Sequence, residues 1–107
     1  MDNFKIIYKI LKILEKSMDL EEFDHASISK ERLELTEARW CRIMALLASE
    51  GYITGVEVWN SMNCNYPRVC LTRPEITIKG LEYLEENTFM KKAANLAKGI
   101  KDVTPGL

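Results

Sequence analysis

The sequence has few of the residues from which catalytic and metal sites are usually built. It contains one histidine, His25, and three cysteines, Cys41, Cys64 and Cys70, without any Cys-x-x-Cys spacing. A structural zinc site needs four closely paired nitrogen or sulfur ligands, so the sequence predicts reduced cysteines, no metal and no other cofactor. His25 lies in an acidic segment, no nucleophile has a base at a readable spacing, and there is no glycine-rich phosphate loop. We therefore expect no enzymatic activity and no small-molecule substrate.

Long apolar runs are also missing. Lysines at positions 5, 9, 12 and 16 interrupt the apolar N-terminal segment, which has no small-residue cleavage site. It therefore does not resemble a signal peptide, and no stretch is long enough to span a membrane. These absences predict a cytoplasmic protein without a membrane partner.

An excess of positive charge is the third absence. The 107 residues include 15 basic and 16 acidic side chains, which gives a net charge of -1. Many DNA-binding domains are basic, because neutralising phosphates supplies much of their affinity. Any DNA binding here would have to use a local basic patch. The length and the 47% hydrophobic content suit one domain with its own core.

The N-terminal segment predicts a helix from Asp2 or Asn3 to about Met18, because its apolar residues recur at helical spacing. They form two rows, Phe4, Ile7, Leu11, Leu14 and Met18, and beside it Ile6, Ile10 and Ile13. Two rows are more than a surface helix needs, so the second requires a partner within this chain or in another. The four lysines form a stripe on the opposite side, which is either a solvated face or a phosphate-facing one.

Two further helices with a tight turn between them predict a helix-turn-helix. Ser29 can cap a short helix to about Leu33, and Thr36 can cap a longer one that ends at Gly51. Glu34-Leu35 would form the turn, which makes the longer helix the recognition helix.

The recognition helix has two faces. Trp40 belongs by its spacing to the core stripe rather than to a base-stacking surface, and the stripe consists of Trp40, Ile43, Met44 and Leu47. Arg39 and Arg42 lie on the other side, from which arginines can reach guanine edges or phosphates. Glu37, at the leading end, would oppose phosphate.

A β-hairpin is predicted next. Residues 53–59 alternate as a strand, with Val56 and Val58 inward, and residues 66–71 return as its partner after a loop rich in asparagine. Arg68 and Arg73 bracket the second strand. They are candidates for phosphate contacts, or alternatively they solubilise an exposed edge.

The C-terminal part predicts two more helices. Thr77 can cap the first of them, in which Gly80 allows close approach to the sheet. A last helix would follow Asn87-Thr88. Its apolar residues have the heptad spacing of a helix that packs along another helix, and this interaction seam is Phe89, Ala93, Leu96, Ile100 and Val103. We expect it to pack on the first helix or on a dimer mate.

Two motifs resemble a known family. Residues 50–56 (EGYITGV) and 76–87 (ITIKGLEYLEEN), in this order and spacing, are similar to the YjcQ-like family, as are the opening helix and the tail at residues 98–101. These are small winged-helix proteins of Gram-positive bacteria and their prophages. The resemblance implies a winged-helix fold and a phage or prophage origin, and it transfers no catalytic residues.

The predicted fold is therefore mainly α with a small β-hairpin. It is a winged helix-turn-helix over residues 1–87, with an extra C-terminal helix at 88–104 in the same structural unit. One functional hypothesis is binding to double-stranded DNA as a phage or prophage regulator. Its candidate contacts are Lys30, Arg32, Arg39, Arg42, Arg68 and Arg73. The alternative is a protein-interaction module, forming a homodimer or binding another protein, without DNA.

Overall fold

The arrangement of helices and strands was obtained from a computed structural model, which describes residues 2–87. Its elements are α1 (Asn3–Lys16), α2 (Lys30–Leu33), α3 (Glu37–Ser49), β1 (Ile53–Trp59), β2 (Arg68–Ile76) and α4 (Ile78–Glu86). Two short 3₁₀ turns, Ser17–Asp19 and His25–Ile28, connect α1 to α2. The predicted fold class is confirmed: the chain is mainly helical with an antiparallel hairpin, in a winged-helix-like order. The predicted last helix and its seam lie outside the described residues.

Each helix start carries the side-chain cap that the sequence predicts. The capping oxygens accept backbone N–H groups of the first turn and belong to Asp2, Ser29, Thr36 and Thr77. Glu34, between α2 and α3, has a φ of 59°, so the tight turn uses a left-handed residue. Gly51 ends α3 with a φ of 81°. These local signals place the helices because capping and turn chemistry act over only a few residues.

The core lies where α1 meets α3, α4 and the base of the hairpin. Both apolar rows of α1 contribute to it, through Ile6, Ile10, Leu11 and Leu14, which are buried. Met44 of α3 is fully buried among them. Trp40 packs against this core, and its indole N–H donates a 2.8 Å hydrogen bond to the carbonyl of Ile28. Its assignment to the core is thus confirmed.

The second strand differs from the prediction. It begins at Arg68 instead of Tyr66 and continues to Ile76 instead of ending at Leu71. An irregularity makes this extension possible, because pairing stops after Val56↔Leu71 and resumes at Thr54↔Glu75. At the bulge, the hydroxyl of Thr72 donates a 2.8 Å hydrogen bond to the carbonyl of Gly55.

The two valines on the predicted inward face of β1 differ in burial. Val56 packs against the core, whereas Val58, expected to point inward, is 41% exposed. The prediction that Val58 is covered is therefore wrong, although its cross-strand partner Val69 packs against the core.

The base of the hairpin is joined to both neighbouring helices. Thr77 donates its backbone N–H to the carbonyl of Tyr52 at 3.1 Å and its hydroxyl to the carbonyl of Gly51 at 2.6 Å. A Cβ atom on Gly80 would lie 2.5 Å from the carbonyl oxygen of Tyr52, so only glycine permits this approach of α4. Within residues 2–87, no helix has the length and apolar character needed to cross a membrane.

Candidate nucleic-acid interface

A carboxylate at the start of α3 connects three elements of the fold. Glu37 accepts a hydrogen bond from the Lys30 ammonium at 3.3 Å, through Oε1, and from the Arg68 guanidinium at 3.0 Å, through Oε2. Lys30 belongs to α2 and Arg68 to the start of β2, so two of the predicted DNA contacts meet at one acidic side chain. We call Lys30, Glu37 and Arg68 the Glu37 cluster.

Electrostatics keep the Glu37 cluster ionised. The neighbouring Lys30 ammonium and then the Arg68 guanidinium lower the pKa of Glu37. Conversely, the hydrogen bond to Glu37 raises the pKa of Lys30. The thiol of Cys64 and the carboxylate of Glu37 raise the pKa of Arg68. Because all three side chains are partly exposed, solvent screens these attractions, and another anion can compete for the two cations.

The exposed side of α3 presents Arg39 and Arg42, one turn apart, as the sequence predicts. The Arg39 guanidinium donates a 3.1 Å hydrogen bond to the side-chain oxygen of Asn3, at the start of α1. The Arg42 guanidinium reaches the hairpin loop, where it donates to the carbonyl of Asn65 at 3.4 Å and lies 5.8 Å from the ring centroid of Tyr66. Arg42 therefore bridges the outer side of α3 and the loop of the hairpin.

The other two candidates occupy different places. Arg32 is exposed on α2 two residues after Lys30, so its side chain leaves the helix on another side. Arg73 lies at the bulge of β2, in a cleft that is also lined by His25 and Glu75. The structure therefore brings Lys30 and Arg68 together through Glu37. Arg42 contacts the hairpin loop, and Arg73 lies apart from the Glu37 cluster.

The hairpin carries an exposed apolar surface. Trp59, at the end of β1, is 48% exposed, and Met62 in the loop is fully exposed. We call these two exposed side chains the wing-tip patch. The outward position of Trp59 is predicted by strand alternation. The exposure of Met62 is not predicted by any sequence pattern, because it lies in a loop of polar residues without periodicity.

The three cysteines are free thiols in distinct surroundings. Cys64, at the hairpin loop, has a lowered pKa because the backbone N–H of Tyr66, and more weakly the Arg68 guanidinium, stabilise its thiolate. Burial raises the pKa of Cys41 in α3. Cys70 lies exposed on β2.

Comparison with known proteins identifies the family of this chain. A family model described as YjcQ protein matches residues 8–103. The chain belongs to the YjcQ family. The resemblance seen in its sequence motifs is thereby confirmed.

One YjcQ relative, "Uncharacterized protein YjcQ" of Bacillus subtilis (strain 168), is 35% identical over 103 residues. The match covers 95% of this chain and 97% of the relative. The solution NMR structure of the YjcQ protein from Bacillus subtilis is similar at a TM-score of 0.49 and 30% identity, covering 77% of this chain and 91% of that one.

Proposed function

We propose that the chain binds double-stranded DNA through the exposed side of α3 and the adjoining start of β2. One observation carries the proposal: Arg39 and Arg42 are exposed side by side on α3, while Glu37 holds Lys30 and Arg68 at the first turn of the same helix. Four cations from three elements thus adjoin a helix in the position of a recognition helix.

The four cations form two groups, according to the part of the DNA that each can contact. Arg39 and Arg42, on the outer side of α3, are placed to contact base edges or phosphates in the major groove. Lys30 and Arg68 flank the start of that helix, where side chains meet the phosphate backbone. A phosphate approaching them competes with Glu37 for the same hydrogen-bond donors. Binding therefore has an electrostatic cost that a more basic winged helix would not have.

The biological role that fits this proposal is a phage or prophage regulator. Its support is the resemblance of the sequence to small winged-helix proteins of Gram-positive bacteria and their prophages.

Fluorescence anisotropy with a mixed-sequence duplex tests DNA binding, with salt varied from about 50 to 200 mM. We expect an affinity that falls steeply with salt. The double substitution Arg39→Ala and Arg42→Ala should weaken binding at least about tenfold. Arg73→Ala is the matched control, because this arginine lies apart from the Glu37 cluster, and it should change the affinity less than about twofold. Absence of binding at low salt, or binding without a salt slope, would contradict the proposal.

A second candidate function is a protein-interaction module on the same scaffold. The wing-tip patch supports it, because Trp59 and Met62 are residue types that often anchor protein interfaces. Sedimentation of the full chain, compared with the Trp59→Ser and Met62→Ser variant, tests self-association through this patch. A dimer that the two substitutions dissociate supports this function, and a monomer at every concentration contradicts homodimerisation.

A further inference from the structure

A cleft outside the Glu37 cluster separates the end of α1 from β2. Its volume is about 720 Å³. Residues 17–23, which follow α1, form one wall, and residues 72–76 of β2 form the other. His25 lies between the walls, and its Nε2 is 3.4 Å from the carbonyl oxygen of Thr72. This segment and strand thus form the two walls of an open cleft.

The lining of the cleft is both acidic and apolar. Glu21 and Glu22 contribute from the first wall and Glu75 from the second, with Arg73 as the opposing charge. Met18 and Leu20, also in the first wall, are 63% and 58% exposed. An occupant that suits this surface carries positive charge and apolar side chains together.

The cleft wall on β2 includes residues 72–74, where the pairing with β1 is interrupted. Within residues 2–87 the sheet has only two strands, so β2 pairs with β1 along one edge. No β1 residue lines the cleft, whose β2 wall consists of residues 72–76.

The chain itself contains a segment of complementary charge. Residues 88–107 include four lysines and one aspartate, whereas residues 1–87 include 11 basic and 15 acidic residues. The same segment contains Phe89, Leu96, Ile100 and Val103. Its chemistry therefore combines the positive charge and the apolar side chains that the cleft suits.

The segment is also within reach of the cleft. The nine residues of α4 follow β2 almost directly. Asn87 therefore lies roughly 14 Å along that helix from the end of β2, which borders the cleft. Twenty residues span about 30 Å even as a helix, and covalent attachment gives a high effective concentration.

We propose that residues 88–107 dock in this cleft of the same chain, with their lysines against Glu21, Glu22 and Glu75. The docked segment covers Met18 and Leu20 and leaves the outer side of α3 available. This inference does not depend on DNA binding.

Site-specific photo-crosslinking of the full chain tests the docking. The photoreactive residue p-benzoylphenylalanine replaces Met18 and, in a second variant, Leu20, both of which are exposed. After irradiation and proteolysis, mass spectrometry should identify adducts between these positions and residues 88–107 within one chain. The same residue at Met62, on the hairpin loop, is the matched control and should give no such adduct.

Charge dependence completes the test. Glu21→Lys combined with Glu22→Lys should lower the adduct yield at least about threefold, as should 1 M salt. Adducts that join two chains would identify a second copy as the occupant and overturn the proposal. Adducts confined to other segments, or no adduct from either position, would overturn it as well.

Discussion

The carboxylate of Glu37 in α3 accepts a 3.0 Å hydrogen bond from the guanidinium of Arg68 in β2. These two residues are 31 positions apart in the sequence. Their contact joins the hairpin to the start of α3, the helix that we propose to bind DNA. The same carboxylate also holds Lys30, so its removal has consequences for binding.

Glu37→Gln should strengthen DNA binding about tenfold and steepen its dependence on salt, because Lys30 and Arg68 are then released for phosphates. Anisotropy titrations at several salt concentrations measure both effects. Lys30 and Arg68 lower the pKa of Glu37, so the wild-type carboxylate stays ionised as the pH falls from about 7 to about 5. The difference between variant and wild type should therefore persist over this range. Equal affinities and equal slopes would show that Glu37 does not restrain the two cations.

Gly55→Ala should destabilise the protein by about 3 kcal/mol. Gly55 has a φ of 74°, and an added Cβ would lie 1.7 Å from the carbonyl oxygen of Arg73. Gly51→Ala is the matched control: its φ is 81°, but the nearest atom, on Lys79, is 3.9 Å away. Its cost should be about 1 kcal/mol, from backbone strain alone. Urea unfolding measures the two values, and similar costs would argue against a close contact across the bulge.

Met44→Ala should lower the free energy of unfolding by about 2–5 kcal/mol, because it leaves a cavity among fully buried side chains. Leu46→Ala in the same helix should change it by less than about 0.5 kcal/mol, since Leu46 is 57% exposed. Thermal and urea unfolding of both variants test the orientation of α3. Comparable losses at the two positions would mean that the helix is rotated from the orientation described.

Cys64 should be the more rapidly alkylated of the two cysteines in a Cys70→Ser variant, because Cys41 is buried with a raised pKa. Its lowered pKa leaves more thiolate at neutral pH, and thiolate is the reactive form. Iodoacetamide modification, followed by mass spectrometry across a pH series, gives the rates. Arg68→Ala should move the rise in the Cys64 rate to higher pH, while an unchanged profile would mean that Arg68 does not stabilise the thiolate.

Much of the helical framework could be predicted from short-range signals. The caps at Ser29, Thr36 and Thr77 and the left-handed turn at Glu34 are each specified by residues within a few positions of one another. The bounds of β1 followed from alternation and the preceding glycine. These elements can be predicted without knowing which residues pack against them.

The surface relationships could not be predicted in the same way. The extension of β2 depends on Gly55 and Arg73 meeting across the hairpin, and the bulge also puts Arg73 away from the Glu37 cluster. The sequence alone predicts that Glu37 opposes phosphate. Its two cationic partners, however, come from separate elements and are adjacent only in the folded chain. Arg39 and Arg42 were predictable because one helix determines the relation between them.

The hydrogen bonds of Thr77 determine how well the hairpin loop tolerates insertions and deletions. Its hydrogen bonds to Gly51 and Tyr52 close the base of the hairpin, and its hydroxyl also accepts the N–H of Gly80. The helices on either side are thereby joined without any contribution from residues 60–67. We therefore expect insertions or deletions in that loop to leave the helical packing intact, so that the loop can be lengthened more readily than the hairpin strands that pack against the core.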